Sequence, residues 1–280
     1  MRKIQFFAAL LLALPLVLSA QLISVADLQK EMKSNKNLVI LGIDEAGGKI
    51  PGSRAVDYNN VRKDDNVPEA KLFEMLMARE GVNNDSKVVI VETGKSYSSF
   101  HPAARLYWTF KYFGHDNVYI LNGGLEEWVL GGGEVSDDRP KRARGKFKAG
   151  KPRSEIYASI DEVKAALGKK TIVDARPFKN YINTEKPPVA KQAGHIDGAK
   201  AAPLDAYFKG GSTLYDKEKL AMLFDGLNID LGKESIVYCN TGSFAAVGWY
   251  VMHEVLGKKV KLYDGSMKEW DGPVSTQLQN

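Results

Sequence analysis

Val118-Tyr-Ile-Leu-Asn-Gly-Gly-Leu-Glu-Glu-Trp128 returns 142 positions later as Val260-Lys-Leu-Tyr-Asp-Gly-Ser-Met-Lys-Glu-Trp270. In each copy a four-residue apolar run meets a glycine turn and then a short segment closed by Glu-Trp. That is the pattern of a strand feeding a helix. The match runs without a gap back to Ala103 and Ala245, through Ala104 with Ala246. Further upstream, Lys49-Ile-Pro-Gly-Ser53 echoes His195-Ile-Asp-Gly-Ala199, and Asp44 after Leu38–Ile43 echoes Asp174 after Thr171–Val173. Anchors in one order with changing offsets denote a duplicated domain with loop insertions, not a solenoid. Trp128 and Trp270, matched in both copies, read as core anchors.

Short apolar runs alternate with helical patterns in each copy. Leu38–Leu41, Val88–Val91 and Val118–Leu121, then Thr171–Val173, Ser235–Tyr238 and Val260–Tyr263, have strand length and little polar alternation. Ser24–Met32, Ala103–Phe113, Ser159–Leu167 and Ala245–Leu256 carry helical spacing. The combination predicts an α/β protein of two tandem domains, each a mainly parallel central sheet flanked by helices. Gly131 to Ser154 is rich in Gly, Lys, Arg and Pro without a hydrophobic period, and reads as a linker. The expected division is a signal peptide over 1–20, a first domain over 21–133, a linker over 134–155 and a second domain over 156–280.

At the start, Arg2 and Lys3 precede an apolar run from Ile4 to Leu18, closed by Ser19-Ala20. This is a signal-peptide pattern and predicts export, with the periplasm as the expected destination. The run falls short of the ~20 residues of a comfortable span and contains Pro15; a retained anchor is the alternative, and no stable membrane insertion is expected after cleavage. Losing Arg2 and Lys3 would take the formal net charge of +5 to about +3, too mild and dispersed for nucleic acid. One cysteine and four scattered histidines show no metal-ligand spacing, and no glycine-rich phosphate loop follows a strand. Neither a metal nor a cofactor is expected.

The single cysteine, Cys239, lies where the strand Ser235–Tyr238 enters the loop Cys239-Asn-Thr-Gly-Ser and then a helix. In parallel sheets ligands bind at the carboxyl ends of strands, which places a site in the second copy. Turn and helix-start N–H groups with the helix dipole favour a thiolate and a bound anion. A packed core cysteine is the competing reading, but polar and glycine neighbours mark a loop. An exported chain with one thiol cannot close an internal disulfide, so the thiol reads as reactive or intermolecular.

Four motifs in order resemble the rhodanese family, and its tandem-domain thiosulfate and 3-mercaptopyruvate sulfurtransferases in particular. They are Thr171-Ile-Val-Asp-Ala-Arg176, Gly194-His-Ile-Asp-Gly-Ala199 followed by Pro203, Val237-Tyr-Cys239-Asn-Thr-Gly, and Leu262-Tyr-Asp-Gly-Ser-Met-Lys-Glu-Trp270. The resemblance spans about residues 24–272 and implies two-step covalent catalysis without a cofactor. Cys239 would take the outer sulfur of a small anionic donor, thiosulfate or 3-mercaptopyruvate, as a persulfide. A thiol, a protein thiol among them, or cyanide would then remove it. The amides of Asn240, Thr241, Gly242, Ser243 and Phe244 would cradle the persulfide. Where relatives carry a substrate arginine stands Asn180, with Lys179 beside it; both are substrate-binding candidates, an exposed loop lysine being the plainer reading of Lys179. Asp174, Arg176 and His195 are expected to orient and stabilise.

Departures from the family matter equally. Between Val91 and Ala104 the first copy has twelve residues and no cysteine, against seven between Tyr238 and Ala246. The first domain is therefore expected to be structural or to help form a cleft. Lys49 stands where mercaptopyruvate-type enzymes carry a first-domain histidine. Thr241 stands where thiosulfate-type loops tend to be basic, so the donor stays open. A Cys-x5-Arg phosphatase is excluded by Ala245, since that chemistry needs an arginine there. A thiol redox protein lacks a resolving cysteine. The remaining rival is an exported non-catalytic sulfur-carrier or binding module acting with a protein partner, with Lys141, Arg142, Arg144, Lys146 and Lys148 as a docking strip. A merely solvated linker is the plainer reading of that strip.

Overall fold

The computed structural model describes residues 21–47, 49–137 and 143–278. The signal-peptide reading of 1–20 and the basic residues Lys141 and Arg142 lie outside the described residues. The first domain contributes β1 (Leu22–Ile23), β2 (Leu38–Ile43), β3 (Arg54–Val56), β4 (Lys87–Val91) and β5 (Val118–Leu121), ordered 1-5-4-2-3. The second contributes β6 (Tyr157–Ala158), β7 (Thr171–Asp174), β8 (His195–Ile196), β9 (Lys200–Ala201), β10 (Phe208–Gly210), β11 (Thr213–Leu214), β12 (Ser235–Tyr238), β13 (Val260–Tyr263) and β14 (Val274–Ser275). Its main sheet runs 6-13-12-7-9, the same order as the first. Every pairing within these two five-stranded sheets is parallel.

Local chemistry starts the helices. Ser24, Ser159 and Asp216 each accept a hydrogen bond from the backbone N–H three residues on, capping Val25–Ser34, Ile160–Ala166 and Lys217–Gly226. The central strands are mainly apolar, and β2 and β12 are buried at every position. Trp128 and Trp270 are buried, and each indole N–H donates to a carbonyl just beyond its helix, Glu134 O at 2.8 Å and Pro273 O at 3.1 Å.

Strand register corrects one sequence equivalence. Asp174 lies opposite Tyr238 and Gly42 opposite Val91, so Gly42, not Asp44, is the counterpart of Asp174. Asp44 sits two residues past that point at φ 50 and accepts the Tyr58 N–H at 3.0 Å. The same register makes Glu92 the counterpart of Cys239.

The segment read as a linker packs onto the first domain. Phe147 is buried against Phe73, Phe110 and His115. Gly145 and Gly150 donate to Ala78 O and Phe113 O, and Arg153 forks onto Asp116. One phenylalanine among polar residues has no period to detect, yet its burial straps the segment to the first domain. The predicted helix Ala245–Leu256 begins at Ser243, is α-helical to Trp249 and widens to a π-helix over Tyr250–Val255.

Helix Phe100–Tyr112 of the first domain packs on Ser243–Trp249 of the second, and one apolar cluster includes residues of both. Tyr107 meets Tyr250 edge-on at 5.0 Å, and Phe100 meets Phe208 at 5.5 Å. Large rings buried this way stabilise by roughly 1.5–3 kcal/mol each, so the domains share a core, and it includes the helix that follows Cys239.

Candidate active site at the domain interface

Cys239 follows the last residue of β12 and is 3% exposed. Its loop is held from behind by Ser266. The Ser266 Oγ accepts from the N–H of Cys239 at 3.0 Å and of Gly242 at 3.2 Å, while its hydroxyl donates to Tyr263 O. Ser266 has φ 51, a left-handed conformation disfavoured for a residue with a Cβ. The first copy has Gly124 there, at φ 62, where a Cβ would strike Glu92. Thus the hydroxyl that secures the cysteine loop stands where the other domain needs bare backbone.

This geometry revises the proposed amide cradle. The Gly242 N–H is committed to Ser266, so Gly242 shapes the loop instead of facing sulfur. It does so at φ 75, with Asp264 and Arg105 filling the place of a Cβ. Among the described residues the N–H groups of Asn240, Thr241, Ser243 and Phe244 have no intramolecular acceptor. They remain as donors at the start of the helix. Asn240 Oδ1 is buried without a partner.

Four first-domain side chains surround the loop. Arg105 is wholly buried, pairs with Asp264 and reaches Gly242 O at 3.4 Å. Burial opposes its charge, but Asp264, Tyr58 and Cys239 together outweigh that and raise its pKa. Tyr58 Oη shares a hydrogen bond with Ser243 Oγ. Arg62 stacks 5.0 Å from the Tyr58 ring and donates to Thr241 O at 3.3 Å. His101 lies 5.1 Å from the Phe244 ring and 5.5 Å from Tyr58.

From the second domain, Asp174 and Arg176 form a buried pair, Nε to Oδ1 at 2.9 Å and Nη2 to Oδ2 at 2.6 Å. Arg176 also donates to Gly194 O, and Tyr238 Oη donates to Asp174. Burial works against charge on Arg176, yet Asp174, with Tyr238 and Cys239 adding to it, raises its pKa. Two buried guanidiniums, Arg105 and Arg176, therefore lie within Coulombic range of the Cys239 thiol. His195 is buried, stacked on Tyr181 at 3.7 Å with Nδ1 on Tyr181 O, and burial lowers its pKa.

The two candidates for binding the donor are engaged elsewhere. Lys179 pairs with Glu185 on the surface at 2.6 Å, and the buried Asn180 amide donates to Glu185 O at 3.1 Å. Both serve the turn that follows their own helix. Ser266, Tyr58, Arg62, His101 and Arg105 were absent from the sequence-derived site. Only Ser266 left a trace: a serine aligned with a glycine at a left-handed turn. A surface depression of about 780 Å³ lies on the first domain among Lys49, Thr93, Lys95, Leu125, Glu126, Val129 and Leu130 and includes no residue of the Cys239 loop. Chemistry, not volume, locates the site.

Two predictions arise here. Ser266→Ala leaves the Cys239 and Gly242 N–H groups without their acceptor and is expected to destabilise by about 1–3 kcal/mol, with reduced turnover. Ser266→Gly relieves the left-handed strain and should unfold later than Ser266→Ala in urea while turning over no faster. Burial, aided by the Arg62 charge, lowers the His101 pKa to about 4. A histidine depressed in the fold contributes stability that is full above the unfolded value of 6.5 and is lost as pH falls toward 4. Unfolding free energies from urea titrations between pH 7 and pH 4 should fall by up to about 3 kcal/mol more in wild type than in His101→Phe.

Comparison with known proteins agrees with this architecture. The rhodanese-like domain matches residues 24–130 and again 159–272. A Saccharopolyspora erythraea protein named "Putative thiosulfate sulfurtransferase" is 33% identical over 84% of this chain and 85% of its own length. The "Sulfur carrier protein TtuD" of Thermus thermophilus is 32% identical over 82% and 85%. The 3-mercaptopyruvate enzyme SseA of Escherichia coli superposes with a TM-score of 0.78 at 25% identity, covering 91% of this chain and all of its own. The chain belongs to the rhodanese-like family, as a member with two tandem domains.

Proposed function

We propose that the protein is an exported sulfurtransferase that moves a sulfane sulfur from a small anionic donor through a Cys239 persulfide to a thiol or cyanide. The observation that carries this reading is the cysteine loop itself. A lone thiol at a strand end is pinned by Ser266, backed by Arg105 and Arg176, and bordered by amides with no internal acceptor. Buried cations and unengaged amide donors so placed suit a sulfur nucleophile and an anionic donor.

With thiosulfate, the Cys239 thiolate attacks the outer sulfur; the donor S–S bond breaks and its electron pair leaves with sulfite. Cyanide then attacks the outer persulfide sulfur, thiocyanate departs and the thiolate returns. With 3-mercaptopyruvate, the C–S bond breaks and the pair leaves on carbon as the enolate of pyruvate. The tail 1–20 supports the export reading through its charged start and apolar run.

The test is intact mass of the purified protein before and after thiosulfate, and separately 3-mercaptopyruvate, each followed by cyanide. A gain of one sulfur that cyanide removes supports transfer and names the donor. No gain with either, on a protein whose thiol still alkylates, favours a carrier loaded by a protein partner, the reading supported by the name of the Thermus relative.

A further inference from the structure

The cations around the Cys239 loop differ in how they are engaged. Arg105 and Arg176 are fully buried and paired with Asp264 and Asp174. Arg62 and Lys268 come from opposite domains and share one carboxylate. Arg62 Nη2 meets Asp65 Oδ1 at 2.5 Å, and Lys268 Nζ meets Asp65 Oδ2 at 2.8 Å. Hydrogen bonding by Lys268 leads the causes that lower the Asp65 pKa, so this carboxylate is anionic at neutral pH.

Both cations are tied to the nucleophile's loop by short links. Arg62 donates to the carbonyl of Thr241, two residues past Cys239. Lys268 donates its backbone N–H to Asn240 O, and its neighbour Met267 donates to Cys239 O. Arg62 is oriented by Tyr58, to which its Nη1 donates at 3.0 Å. Its side chain is 11% exposed and its Nε is buried with no acceptor. A buried charged donor left unmet is costly unless something completes it, and an arginine fork suits planar or tetrahedral oxyanions. Asp64 and Asp65 are successive left-handed non-glycine residues at φ 49 and 70, so this carboxylate is held there against backbone preference.

We propose that Arg62 and Lys268 form the anion subsite for the sulfur donor, the cysteine-free first domain supplying the arginine, with Asp65 as an internal anion that the donor displaces. This rests on the sulfur-transfer reading above. The subsite would hold the sulfite end of thiosulfate or the carboxylate of 3-mercaptopyruvate while the reacting sulfur faces Cys239. With thiosulfate, the same cations stabilise the charge that departs on sulfite. The subsite also accounts for a second domain whose Lys179 and Asn180 are occupied in their own turn.

The test is steady-state kinetics with cyanide as acceptor on wild type, Arg62→Gln, Arg62→Lys and Asp65→Asn. Thiosulfate and 3-mercaptopyruvate form separate arms. Arg62→Gln should raise the donor KM by about 10- to 100-fold, as loss of a charge-assisted contact does, with Arg62→Lys between it and wild type. Asp65→Asn removes the competitor and should lower the donor KM several-fold. A purely structural ion pair would instead make both variants worse. An effect in either arm supports the subsite and identifies the donor it serves. Unchanged KM for Arg62→Gln in both arms, or a raised KM for Asp65→Asn, overturns it. Absence of wild-type persulfide formation in the mass experiment overturns sulfur transfer from small donors, and the subsite with it.

Discussion

Cys239→Ser is expected to lower sulfur transfer by about 10⁴-fold or more, because no other group on the chain can hold sulfur covalently. The chain has no second cysteine, and the first-domain counterpart of Cys239 is Glu92. Glu92 is buried, accepts from Gly94 N–H and Ser212 Oγ at 2.6 Å each, and has its pKa raised by burial. It is a docking acid, joining its strand end to the second domain's Ser212. A serine at 239 keeps the backbone N–H that Ser266 holds, so the unfolding free energy should stay within about 1 kcal/mol of wild type. Stable protein with no cyanide-labile sulfur by mass is the expected result; turnover near wild type would sink the assignment.

Asp264→Ala should be the most destabilising single change at the domain interface. Asp264 joins two first-domain donors: it pairs with Arg105 and accepts the Val67 N–H at 2.7 Å. Removing it leaves a wholly buried guanidinium without its counter-ion, which costs about 3–5 kcal/mol. The apolar replacement Arg105→Met with Asp264→Leu should recover most of that loss, since a buried pair exchanged for packed hydrocarbon is often near neutral. Turnover should stay low in the double variant, because one of the two guanidiniums within range of Cys239 has gone. Urea unfolding of the three proteins, read beside their rates, separates the two roles. Full activity in the double variant would show that Arg105 only fastens the domains.

The duplication was legible because strand hydrophobicity and glycine turns are local. Val118–Trp128 and Val260–Trp270 build the same strand, turn and short helix, and both tryptophans donate to a carbonyl beyond the helix. Cys239 was legible for the same reason: strand, small-residue loop and helix follow one another along the chain. Phe147 was not, since its value comes from three rings distant in sequence. Nor was the Asp44 equivalence, which hydrogen-bond register decides. Lys179 and Asn180 were chosen by counting from Asp174, and a four-residue helix followed by its own turn engages both.

The amino-acid sequence by itself determined two α/β domains of parallel sheet and one cysteine at a strand end in the second. Only the tertiary structure decided what surrounds that thiol. Arg105 is 134 residues away along the chain, and Arg62 is 177. Their approach depends on helix Phe100–Tyr112 packing against the helix that follows the cysteine. Periodicity and capping act over one or two turns of backbone. The charge around the thiol comes from side chains that meet only once the two domains bury a common core.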